Sequence, residues 1–125
     1  MLYRERRCFP IRTPTRRRLQ GQHKIIAPDL IGFGRTGAWP RSGELTHDLQ
    51  AELVAALIGE EGGGAVDVVG HSYGGAVAVR LALRRPELVR TLVLVEPVLT
   101  LLLREAGDPL FGEYRDDRPP PSGPQ

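Results

Sequence analysis

The chain has 125 residues, 41% hydrophobic and 26% charged, with a formal net charge of +2. That length suits one domain, which buries about two-thirds of its unfolded surface, and the composition is that of a soluble protein. No apolar run approaches the ~20 residues needed to cross a bilayer, and the N-terminus lacks a signal-peptide core. The single cysteine, Cys8, excludes an intrachain disulfide and makes a cytoplasmic location the default expectation.

The charge is unevenly spread. Residues 1–24 hold eight basic residues against Glu5, a net of +7, which leaves nine basic and fourteen acidic residues, or −5, for the rest. Residues 1–22 read as a basic arm, and residues 1–16 of it show no helical or strand periodicity and are interrupted by Pro10 and Pro14. A solvated arm and a segment wrongly joined to the gene are both compatible with this. No aromatic spacing or helical face supports a nucleic-acid or membrane-surface arm, and an organelle transit peptide is a weaker variant.

Arg17 to Gln22 suggests a helix end stopped by Gly21, and Lys24 to Ala27 a short buried strand. Gly32, Gly34 and Gly37 form a formal G-x-G-x-x-G, but the dinucleotide fingerprint must open a helix at once. Here Ala38-Trp39-Pro40 follows, so the stretch reads as a glycine-rich loop and no cofactor is expected. Glu44 to Ile58 reads as an amphipathic helix capped by Ser42. Leu45, Leu49, Leu53 and Leu57 form its apolar stripe, Val54 and Ile58 widen it, and His47 falls on the polar side. Gly62-Gly63-Gly64 ends that helix. Ala65 to Val69 reads as a strand, the next helix runs to Arg84 before Pro86, and Thr91 to Val95 is another buried strand. Alternating strands and helices spell a parallel α/β architecture. Val98 to Leu103 is apolar and breaks at Gly107-Asp108-Pro109, and residues 116–125, with Pro119-Pro120-Pro121, form a solvated tail.

The informative stretch joins the Ala65–Val69 strand to the following helix through Gly70-x-Ser72-x-Gly74. A strand that turns sharply into a helix thrusts the middle residue of the turn out above the sheet. Small residues two before and two after let the arms pass. The helix start presents unpaired N–H groups suited to a developing oxyanion.

This stretch resembles the α/β-hydrolase superfamily. So do Ile26-Ala27-Pro28-Asp29-Leu30-Ile31-Gly32-Phe33-Gly34 and Arg85-Pro86-Glu87-Leu88-Val89-Arg90-Thr91-Leu92-Val93-Leu94-Val95-Glu96-Pro97, and the three blocks stand in family order across roughly residues 17–100. The resemblance implies a three-layer α/β-hydrolase core that is partial, lacking the early and C-terminal strands. Residues 23–97 would hold the core, and 98–125 the start of a cap and the tail. It makes Ser72 the nucleophile and the Tyr73 backbone N–H one oxyanion donor. Glu96 is a candidate acid, with a plain turn-capping role as the alternative. Phe33, His71, Leu99 and Leu102 are candidate substrate contacts, and Leu103, Leu110 and Phe111 further apolar lining. The other reading of the 98–111 stretch is a helix packed on the core.

A serine hydroxyl needs a base, and the family order is nucleophile, acid, histidine. The three histidines are His23, His47 and His71, and none follows Ser72. No His-Gly pair upstream of residue 24 supplies the second oxyanion donor. The family strand between the Lys24–Ala27 and Ala65–Val69 strands is also missing, which argues against a well-packed isolated sheet. The resemblance therefore implies hydrolysis of a small ester or related acyl, lactone or C–C substrate, without metal or organic cofactor. This chain alone is expected to be inactive or nearly so. A non-catalytic binding protein on the same scaffold, a nucleic-acid-associated protein and a gene fragment stay open. The sequence is silent on oligomeric state.

Overall fold

The computed structural model describes residues 17–19, 21–39 and 42–110. Most of the basic arm, Phe111 and the proline-rich tail lie outside them. Residues 17–19 are helical, and the backbone N–H groups of Gln22 and His23 both donate to the Leu19 carbonyl at 3.0 Å, closing that helical turn beside Gly21.

The central unit is a strand, a helix and a parallel strand. Strand β1 (Val66–His71) leads through Ser72 into helix α2 (Tyr73–Arg84), reached after helix α1 (His47–Glu60) earlier in the chain. A 3-10 turn at Pro86–Leu88 then leads into β2 (Val89–Val95). The strands pair in parallel, with Gly70 opposite Leu94 and His71 opposite Val95. A parallel pair needs a crossover, and α2 supplies it. Pro86 cannot continue α2.

Strand β1 and helix α2 approach closely because the contact residues are small. A Cβ on Gly70 would lie 2.8 Å from Ala78 Cβ, and one on Gly75 would lie 2.7 Å from Pro97 Cβ. The core lies between α1, α2 and one sheet face: Ala51, Val54, Ile58, Val68, Val77, Ala78 and Leu81 are buried there. On the other face Val93 is 51% exposed and Val95 45%. The expectation that Thr91 to Val95 is a buried strand is therefore corrected, because helices cover one face of the described sheet. Ionic contacts edge the α1–α2 contact: Arg80 bonds Asp48, and Arg84 and Arg85 bond Glu52 at 3.0 and 2.9 Å. Arg80 holds the Asp48 carboxyl below its usual range, and Arg85 and Arg84 do the same for Glu52.

Three local expectations are also corrected. Residues 24–29 form no strand and are exposed or half-buried. A run as short as Lys24 to Ala27 becomes a strand only by joining a ladder, and the sheet of the described residues contains β1 and β2 alone. Helix α1 starts at His47, capped by Thr46, whose hydroxyl accepts the Leu49 N–H at 3.2 Å, rather than at Glu44 with Ser42 as cap. Its buried face is His47, Gln50, Ala51, Val54 and Ile58, while Leu53 is 45% exposed. Two polar residues occupy that face because both have partners: Gln50 exchanges two hydrogen bonds, both 3.1 Å, with the main chain of Ile31, and His47 is held by Glu105.

Past β2 the chain forms a short helix, α3 (Thr100–Glu105), which stops at Gly107 with φ 67°. Among the described residues no helix is long and apolar enough to cross a membrane.

Candidate active site

Ser72 stands at the sharp corner between β1 and α2 with φ 52° and ψ −121°. Positive φ is rare for a residue with a side chain. The corner is held by its main chain on both sides. Ser72 N–H donates to the Val95 carbonyl at 3.1 Å, and the Ser72 carbonyl accepts from Gly75 at 3.0 Å, Ala76 at 3.4 Å and Val98 at 3.0 Å. The hydroxyl makes no capping bond to the helix it precedes, so its position is set by the backbone around it. The residue is half-buried.

Tyr73 is the first residue of α2, which puts its N–H in the helix N-terminal turn, where main-chain donors and the helix dipole favour negative charge. Its buried ring lies between two others: Phe33 with centroids 5.3 Å apart and His47 at 4.7 Å. Phe33 is carried by the glycine-rich loop, which is tied to Asp29. The Asp29 carboxylate accepts the Arg35 N–H at 3.1 Å, its carbonyl accepts the Thr36 hydroxyl at 2.7 Å, and a Cβ on Gly34 would lie 2.2 Å from Asp29 Cγ. The loop thus folds over its own aspartate, and no helix starts at its glycines.

The other candidate residues take different positions. His71 ends β1, half-buried, paired with Val95. Glu96 is exposed and, with φ 44°, is the second non-glycine residue with positive φ among those described. Leu99, 41% exposed, precedes α3, and half-buried Leu102 lies within it.

His47 is the residue that the sequence reading misplaced. It is 2% exposed rather than on a polar face. The Glu105 Oε1 lies 2.5 Å from its Nδ1 and accepts its backbone N–H at 3.1 Å. Its Nε2 is buried with no hydrogen-bond partner among the described residues, so it makes no bond to Ser72. The signal in the sequence was the spacing of His47 with Gln50, Ala51, Val54 and Ile58, a second helical face beside the leucine stripe. A cavity of about 420 Å³ lies beside this pair, lined by Glu44, Asp48, Arg80, Arg104 and Glu105, and does not include Ser72. Among the described residues no group of three or more His, Cys, Asp or Glu could hold a metal ion.

Chemically, the corner offers a hydroxyl beside a helix N-terminus, with no bond from the hydroxyl to that helix. Sequence comparison identifies the family of the fold. The model of the alpha/beta hydrolase family matches residues 4–124. Lipase LipV of Mycobacterium tuberculosis is 48% identical over 77 residues, 62% of this chain and 28% of that protein. An esterase of the same organism is 42% identical over 81 residues, 65% of this chain and 27% of that protein. A 2-hydroxymuconate semialdehyde hydrolase of Pseudomonas putida is 39% identical over 75 residues, 60% of this chain and 26% of that protein. The chain thus spans about a quarter of the length of these relatives. With its strand–corner–helix–strand unit and the span of the family match, the chain belongs to the α/β-hydrolase family.

Proposed function

We propose that this chain carries the nucleophile-bearing part of a serine hydrolase that cleaves a small ester or related acyl substrate. The observation that supports this most is the left-handed backbone of Ser72, held by four main-chain hydrogen bonds where nothing in the hydroxyl's own bonding requires it. Relatives named as a lipase, an esterase and a 2-hydroxymuconate semialdehyde hydrolase fit the same chemistry.

In this reading Ser72 Oγ attacks the substrate carbonyl carbon, and the C=O electron pair moves onto oxygen. The Tyr73 N–H at the start of α2 stabilises that oxyanion. Collapse re-forms the carbonyl, breaks the bond to the leaving oxygen, which is released with a proton, and leaves Ser72 acylated. Water then attacks the ester, releasing the acid and restoring the hydroxyl. Phe33, His71, Leu99 and Leu102 flank the acyl group, and Glu96 is the candidate acid. The serine proton needs an acceptor, and no histidine follows Ser72 in the sequence. The chain on its own is therefore a slow acyl acceptor without efficient turnover.

The test is incubation with p-nitrophenyl acetate, followed by intact-protein mass measurement. We expect slow acetylation of Ser72, absent in Ser72→Ala, without sustained nitrophenolate release. Equal labelling of Ser72→Ala would overturn the assignment of the nucleophile. Sustained Ser72-dependent release would show that a base is supplied within this chain. The second reading is a binding scaffold without catalysis. Ligand binding that survives Ser72→Ala, with no acylation of the unaltered chain, would support it.

A further inference from the structure

We propose that Glu105 and His47 form the anchor of a strap, residues 98–110, which the pair ties to the helix beneath and, through tilted ring contacts, to the first residue of α2. The strap's own structure is slight. Helix α3 has six residues, far too few to persist by local hydrogen bonding. Its described apolar side chains are incompletely covered: Leu99 is 41% exposed, and Leu102 and Leu103 are half-buried. Polar contacts add to this partial burial in placing it.

Three contacts are available. The Val98 N–H donates to the Ser72 carbonyl at 3.0 Å, which fixes the strap's first residue. Arg104 reaches Glu44 at 2.5 Å, but the two side chains are 45% and 65% exposed, and solvent weakens such a pair. The third is Glu105 on His47, with side chains 17% and 3% exposed. One carboxylate oxygen meets both the ring and the main-chain N–H of the same residue. A short carboxylate–imidazole bond shielded from water is the strongest of the three.

The burial of His47 points the same way. Its Nε2 has no hydrogen-bond partner among the described residues, so Glu105 is the polar partner that makes an imidazole tolerable at that depth. Around the pair stand Asp48, next to His47, and Arg80, which bonds Asp48 and is also attracted by Glu105. Glu105, His47, Tyr73 and Phe33 then form a continuous series, each in contact with the next. The series joins α3, α1, the start of α2 and the glycine-rich loop. On the hydrolase reading, a closed strap keeps Leu99 and Leu102, the candidate acyl contacts, on a segment tied to α1 and to the Ser72 carbonyl. His47 thus links the strap to Tyr73 through its ring. The consequence for substrate rests on the hydrolase reading, but the strap itself does not.

The test is amide hydrogen exchange of the whole chain followed by mass spectrometry, comparing the unaltered protein with Glu105→Ala and Glu105→Gln. In Glu105→Ala, peptides across 98–110 exchange about ten-fold faster or more, while α2 peptides keep their protection. Glu105→Gln retains an acceptor of the same shape without the charge and falls between. Unchanged exchange over 98–110 would overturn the proposal. So would equal acceleration in α2, or melting of both variants, because a strap releases without unfolding the core. None of these results depends on whether Ser72 is acylated, so the two readings fail separately.

Discussion

Ser72 carries a conformation that its side chain opposes. With φ 52° and ψ −121° it occupies a region that glycine enters freely and an L-residue enters at a cost of about 1–3 kcal/mol. The surrounding main-chain bonds from Val95, Gly75, Ala76 and Val98 hold it there. Replacing the side chain therefore separates stability from the proposed chemistry. Ser72→Gly is expected to raise the urea midpoint at unchanged m-value, equivalent to about 1 kcal/mol, while losing acylation altogether. A lower midpoint would mean that the hydroxyl stabilises the corner by a bond of its own and that the strain argument is wrong. The Gly70-x-Ser72-x-Gly74 spacing made this corner legible from sequence, because the close approach needs small residues in that pattern. Glu96, with its φ of 44°, gave no such notice: nothing in the residue type distinguishes a glutamate placed there from one on any exposed turn.

At the scale of elements, the β1–α2–β2 unit was legible because local preferences and packing agree. Valine runs flank an alanine- and glycine-rich helix that ends at Arg84-Arg85-Pro86. Helix α1 was legible in existence but not in orientation. Leucines outweigh histidine and glutamine on any hydropathy count, yet Gln50 and His47 go inside because Ile31 and Glu105, distant in sequence, satisfy them. Such long-range partners leave no trace in periodicity. The Lys24–Ala27 run failed for the opposite reason, since strand propensity cannot supply a neighbouring strand. Between β1 and β2, Asp67 stands opposite Thr91, and Arg90 bonds it through Nε at 2.9 Å and Nη2 at 2.5 Å. Those bonds, and then the Thr91 hydroxyl, hold the Asp67 carboxyl down from 3.8 to about 2. Because the folded-state value is the lower one, the pair's contribution is complete above about pH 4 and is lost as pH falls toward 2. Urea midpoints measured across that window should fall less steeply in Asp67→Asn than in the unaltered chain. Identical slopes would mean that the pair is solvent-screened to no effect.

For the molecule as a whole, the question is which surface of the small sheet the fold depends on. Leu81 is fully buried between the helices and the sheet, whereas Leu83, on the same helix, is 67% exposed and Val93, on the opposite sheet face, is 51% exposed. Truncating a buried leucine removes both its transfer free energy and its packing. Leu81→Ala should therefore cost about 2–5 kcal/mol, and Leu83→Ala should stay within about 0.5 kcal/mol. Val93→Thr is the more discriminating change, since a hydroxyl is harmless in water but costs about 1–3 kcal/mol where it is buried without a partner. Urea melts followed by far-UV circular dichroism compare all three. A neutral Val93→Thr places the stability of this chain in one layer of helices on one sheet face. A loss above about 1 kcal/mol would mean that the face is covered in solution. Repeating the melt at a ten-fold higher protein concentration then identifies the cover. A midpoint that rises with concentration assigns it to a second copy of the chain, and a constant midpoint assigns it to the chain itself.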